Sequence, residues 1–111
     1  MTSHCIVFVT ASSSQEAKRL AETLVKEKWA ACVNVVPGVR SHYWWKGKRE
    51  WASEQLLIIK TRRARVLALV QRVKALHSYS VPEVLAVPVI AGNLDYLRWI
   101  DESLSTQLKR R

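Results

Sequence analysis

The sequence predicts an α+β domain in which strands and helices follow one another in the order βαββαβ. Three observations carry this prediction. Residues 4–10 and 55–60 are short runs rich in β-branched residues and apolar on both faces, as strands in the middle of a sheet are. Residues 14–28 and 62–76 carry apolar side chains at helical spacing instead. Residues 31–60 contain two β-rich arms joined at Lys46-Gly47-Lys48, which read as a hairpin. This order is the split-βαβ, ferredoxin-like sandwich, whose two central strands are the first and the third. At 111 residues the whole chain, 1–111, is expected to form one domain with a core that needs no staples.

The first strand contains Cys5-Ile6-Val7-Phe8-Val9 and is stopped by Ala11-Ser12-Ser13-Ser14. Ser13 with Glu16 three residues later is a capping box, so the first helix starts at Ser14. Its apolar face is Ala17, Leu20, Ala21, Leu24 and Val25. Thr61 is expected to cap the second helix, which buries Val66, Leu69, Val70, Val73 and Leu76. Residues 77–82 form a loop, because the residue before Pro82 is pushed out of the α region. The fourth strand, 83–90, contains Pro88, which lacks a ladder donor and suits an edge. Gly92-Asn93 turns the chain into a C-terminal helix, 94–104, with Tyr96, Leu97 and Ile100 inward. Lys109-Arg110-Arg111 reads as a frayed basic tail.

The hairpin is the unusual element. Its first arm, 31–45, would span roughly 50 Å at about 3.3 Å per residue. A compact domain of this length has a radius of gyration near 13 Å, so the arm must bend at Pro37-Gly38 or project. A projecting arm carries Tyr43, Trp44, Trp45 and Trp51, each able to bury roughly 150–250 Å². Helices cover only one face of such a sheet. Both features call for another copy of the chain as partner, with Tyr43, Trp44, Trp45 and Lys46 at the interface.

The formal charge is +9, and Lys60, Arg62, Arg63, Arg65, Arg72 and Lys74 form a block without an acid among them. Such a field attracts polyanions without sequence preference, although a solvated helix face explains it equally simply. Two cysteines, Cys5 and Cys32, define no disulfide framework or metal finger and read as small buried hydrophobes. No apolar run approaches the roughly 18 residues of a membrane span, and the start resembles no secretion signal. A cytoplasmic protein is expected. The third strand lacks an RNA-recognition signature, there is no Cys-x-x-Cys, and three glycines form no phosphate loop.

Five motifs stand in order along the chain. They are Ala30-Ala31-Cys32-Val33-Asn34, Tyr43-Trp44-Trp45-Lys46-Gly47-Lys48, Leu56-Leu57-Ile58-Ile59-Lys60-Thr61, His77-Ser78-Tyr79-Ser80-Val81-Pro82-Glu83, and Gly92-Asn93 with Tyr96-Leu97-Arg98-Trp99. In this order and spacing, over about residues 5–104, the chain resembles the CutA family of divalent-cation tolerance proteins. The resemblance implies a subunit similar to PII signalling proteins, a homotrimer joined by its hairpins, and no established catalysis. It also implies a role in tolerance of copper or other divalent ions; animal members are linked to anchoring acetylcholinesterase. Copper ligands assigned in some bacterial members fall here on Val9, Leu76 and His77, so only the histidine remains. Ser78 also replaces a proline common after it. Trp51 stands where members commonly continue acidic and polar, and is either a new contact surface or an introduced change.

On these grounds His77, helped by Glu83, is the candidate ligand for Cu(II) or another divalent ion. The alternative for His77 is a helix cap or subunit contact. His42 and His4 are expected at the surface. The alternative for the protein is a non-enzymatic trimeric scaffold or small-anion module, in which Lys60, Arg62 and Arg63 would hold the anion.

Overall fold

A computed structural model describes residues 2–105. The elements are β1 (His4–Ala11), α1 (Ser14–Lys26), β2 (Cys32–Trp45), β3 (Lys48–Arg62), α2 (Val66–Leu76), β4 (Val84–Pro88) and α3 (Leu94–Leu104), with a 3-10 turn at Arg63–Arg65 before α2. The four strands form one antiparallel sheet in the order β2-β3-β1-β4. Thus β1 and β3 are central, as their apolar runs require, and β4 with Pro88 is an edge. The basic tail expected at Lys109-Arg110-Arg111 lies outside the described residues.

Helices α1 and α2 cover one face. Val7, Val9 and Ala11 of β1 and Leu57 and Ile59 of β3 meet Ala17, Leu20 and Leu24 of α1 and Leu69 and Val73 of α2. A smaller cluster of Leu97, Ile100 and Leu104 seats α3 against Ala31 and Val89. Tyr96, expected inward, is instead 41 % exposed and stacks on Trp99, because the stripe 97-100-104 is the one that faces the chain.

Two helix starts differ in kind. Ser13 caps α1 by accepting from the Glu16 N–H at 3.1 Å. Glu16 reaches back one residue further than a capping box does, to the N–H and hydroxyl of Ser12. Helix α1 ends after Lys26 rather than Lys28, with Lys28 left-handed (φ 63°) and Trp29 N–H bonded to Leu24 O. Thr61 does not cap α2. The β1–β3 ladder runs on to His4 opposite Arg62, which keeps Thr61 in the strand, and its buried hydroxyl donates to Trp29 O at 2.7 Å.

The hairpin both bends and projects. Val36 pairs with Leu56 but Val39 with Glu54, so Pro37-Gly38 is a bulge, with Gly38 at φ 76°. Beyond it the two strands continue as a bare ribbon to a two-residue turn at Lys46-Gly47, both with positive φ. The molecule measures 52 × 28 × 23 Å, and its radius of gyration of 14.9 Å exceeds that of a compact chain.

The bulge also decides which side each aromatic faces. On β3 the alternation is unbroken, so Arg49, Trp51 and Ser53 lie on the side of Leu57 and Ile59, the helix side. Opposite them stand Trp44, His42 and Arg40. Tyr43 and Trp45 therefore continue the open side, where Phe8, Ile58 and Leu85 also lie.

Candidate functional site

The loop after α2 is held by an unusual number of buried polar contacts. His77, expected as a ligand, closes α2 and its side chain is buried. Its Nε2 bonds the carbonyl of Thr10 at 2.7 Å, while Nδ1 accepts from the Tyr79 N–H at 3.0 Å. These partners set a neutral ring with its proton on Nε2. Both nitrogens are thus engaged by the backbone, and the ring offers no free lone pair to a metal. Below it, Glu16 accepts from the Ser78 N–H at 2.7 Å as well as from Ser12. Burial raises the Glu16 carboxyl, but the Ser12 and Ser78 donors outweigh it and hold it at about 2. The helix-capping glutamate and the histidine together pin the end of β1 to the loop.

This pinning delivers Tyr79 to the open side of the sheet, where its hydroxyl donates to Glu54 Oε2 at 2.7 Å. A cleft of about 740 Å³ lies there, lined by Thr10, Tyr43, Trp45, Glu54, Tyr79 and Glu83 among others. His42 reaches its rim. Glu54 is buried, although it sits midway along a strand. Burial, followed by the hydrogen bond to Glu54 and that residue's charge, raises the Tyr79 phenol, which keeps it a donor. Partial burial and then the charge of Glu54 raise the Glu83 carboxyl. Two acids that repel across a cleft can accept a cation between them. Glu54 and Tyr79 carry no motif of their own. Nothing in the strand marks Glu54, which stands between Ser53 and Gln55 ahead of the apolar run 56–59.

The other expected residues are dispersed. Lys60 bonds Asn34 Oδ1, Arg62 pairs with Asp101, and Arg63 is exposed on the 3-10 turn. Arg65 bonds Leu104 O, and Arg72 forms a bidentate pair with Glu27. Two cations of the block, Arg62 and Arg72, are thus paired with carboxylates, and none of it lines the cleft. Val9 is in the core and Leu76 packs against it. His4, expected at the surface, is buried and bonds Asp101 at 2.7 Å. Among the described residues no three His, Cys, Asp or Glu side chains cluster as a metal site.

A profile of the family described as CutA1 divalent ion tolerance protein matches residues 5–103. The chain belongs to this family. Among CutA relatives, a protein of Oryza sativa named as CutA 1, chloroplastic, is 52% identical over 98 residues, covering 88% of this chain and 55% of that one. The divalent-cation tolerance protein CutA of Archaeoglobus fulgidus is 43% identical, over 91% and 98%. The chain thus spans about half the length of the plant CutA proteins it matches and nearly all of the archaeal one. The crystal structure of CutA from Xylella fastidiosa superposes with a TM-score of 0.91 at 38% identity, covering 94% of this chain and all of that one. That of CutA1 from Oryza sativa gives 0.90 at 50%, over 93% and 94%. Printed names of CutA relatives include chloroplastic and periplasmic forms. No described helix here is long and apolar enough to cross a membrane.

Proposed function

We propose that this chain is a non-catalytic divalent-ion tolerance protein that works as a homotrimer, and that its ion-responsive point is the cleft holding Glu54 and Glu83. The observation that carries the reading is the pairing of these two carboxylates in one cleft of a chain with net charge +9. Their oxygens would hold Cu(II) or another divalent ion. Glu83 keeps its expected place as a ligand, and Glu54 becomes its companion. His77 acts through the backbone as a positioning residue, since it holds Tyr79, which in turn orients Glu54.

What supports the trimer is the surface that the chain leaves uncovered. Leu85 (61 %) and Val87 (41 %) on the open side and Trp45 (45 %) on the ribbon are exposed, far from the helices that cover the other face. Tyr43, Trp45 and Lys46 are the contacts we assign to neighbouring copies; Trp44, expected among them, lies on the other side of the ribbon, opposite Arg49. A copy of the chain packed there would wall the cleft and desolvate it further. A cytoplasmic site of action accords with two free cysteines, Cys5 and Cys32.

Titration calorimetry with copper and zinc at neutral pH tests the ion reading. Glu83→Gln and Glu54→Gln should each weaken binding by more than about tenfold, because each removes a charged ligand. His77→Ala should weaken it by about 10- to 100-fold through misplacement of Tyr79. Glu83 titrates above its ordinary value, so protons displace the ion at a higher pH than at an unshifted carboxylate. Unchanged binding in both glutamate variants would refute the site. Light scattering on a sizing column should give three times the chain mass, and a monomer at micromolar concentration would refute the assembly.

A further inference from the structure

The helix side of the projecting ribbon has a chemistry that neither the ion nor the trimer uses. His42 stands directly opposite Trp51, and Trp44 opposite Arg49. Trp44 is 71 % and Trp51 57 % exposed. The Arg40 guanidinium lies 4.6 Å from the Trp51 ring centre. No carboxylate pairs with Arg40 or Arg49 among the described residues, whereas Arg62 and Arg72 near α2 pair with Asp101 and Glu27. A concavity of about 760 Å³ at this end is lined by His42, Trp44, Lys48, Arg49, Glu50 and Trp51 among others.

We propose that this face binds single-stranded nucleic acid, with bases stacking on Trp44 and Trp51 and phosphates held by Arg40 and Arg49. Trp44 and Trp51 are diagonal neighbours across the strand pair, a spacing of about 7–8 Å. At that backbone separation both rings lie within reach of neighbouring bases of one strand. Exposed rings interleaved with unpaired cations are the two components of a sequence-tolerant single-strand site. A duplex hides its base faces and would meet only the charges. A membrane is a poorer match, because the hairpin leads with Lys46-Gly47-Lys48 and the rings lie along its flank among arginines. Lys48 and Glu50 belong to the opposite side of the ribbon, across from Trp45 and Tyr43, so the acid does not interrupt the row. The net charge of +9 adds long-range attraction for the same partner.

The test uses the full chain with labelled oligothymidylate and oligouridylate, duplex DNA of equal length, and phosphatidylserine vesicles. Fluorescence anisotropy should detect binding to the single strands at low salt, accompanied by quenching of tryptophan emission. Trp51→Ala should weaken it by about tenfold or more, as loss of one stacked base does, and Trp51→Phe should restore part of the affinity. Arg49→Ala should weaken it for every sequence and lower the salt slope by about one. The duplex should bind more weakly and be insensitive to Trp51→Ala. No binding to single strands, equal affinity for duplex, indifference to both tryptophan variants, or preference for the vesicles would each overturn the proposal. Because Trp51 and Arg49 are exposed, thermal melts of the variants should match the native chain, which keeps a binding loss distinct from unfolding.

Discussion

Strands β2 and β3 run the length of the molecule, and their two ends have opposite surroundings. At one end Leu57, Ile59 and Thr61 are fully buried beneath the helices, with the Thr61 hydroxyl bonded to Trp29 O. At the other, Trp44, Trp45 and Trp51 stand in solvent on a two-stranded ribbon that no helix reaches. The same backbone ladder serves both. What differs is whether the apolar side chains find partners in their own chain. A bare two-stranded ribbon is marginal in water, so its stability rests on the continuous ladder into the sheet and on contacts from outside. The buried end stores folding energy; the ribbon presents recognition chemistry, with different groups on its two sides.

The sharpest way to test this contrast is truncation at each end. Leu57→Ala should cost about 2–5 kcal/mol in chemical denaturation, as buried leucines do. Trp51→Ala should stay within about 0.5 kcal/mol, as exposed substitutions do. Comparable losses would mean that the helix side of the ribbon is itself covered by a partner. Acid probes the pinned loop next to the core. Glu16 titrates at about 2 in the folded chain against an ordinary 4.5. Its contribution is therefore complete above about pH 4.5 and is lost as pH falls through 2, a difference of about 3 kcal/mol. Glu16→Gln should flatten that part of the stability profile, and an unchanged profile would remove the glutamate from the account.

Smaller effects refine the comparison. Thr61→Val should cost about 1 kcal/mol by leaving the Trp29 carbonyl without its donor. At the ribbon tip the sign reverses. Lys46 holds φ at 52°, a conformation that Asn adopts more readily, so Lys46→Asn should stabilise the turn by about 0.5 kcal/mol. A thermal shift downward in that variant would show that the Lys46 side chain contributes more than its backbone costs.

Much of the fold was legible because its signals are local. The apolar runs of β1 and β3, the Ser13 cap, the helical stripe of α2 and Pro88 on an edge each depend on near neighbours in sequence. The failures were local signals overruled at a distance. Thr61 looks like a cap until the pairing of His4 with Arg62 extends the strand past it. Tyr96 looks inward until Leu104 joins Leu97 and Ile100 to fix the buried stripe. His77 has the residue type of a metal ligand, but the structure gives its ring nitrogens to Thr10 and Tyr79. Glu54 is silent in the sequence, since only the folded chain carries Tyr79 and Glu83 to it.

The sequence by itself determined the order of elements, the central strands, the long hairpin and the excess of positive charge. These are written in periodicity, turn residues and composition, which act over a few residues or over the whole chain at once. Tertiary structure alone decided which side of the ribbon each aromatic faces. Strand alternation has a period of two, so the single extra residue at the Pro37-Gly38 bulge exchanges the two sides of β2. It sends Tyr43 and Trp45 toward the acidic cleft and Trp44 toward Trp51 and the unpaired arginines. That assignment depends on register against β3, a relation between residues distant in sequence, such as Val36 with Leu56. No pattern within either strand encodes it.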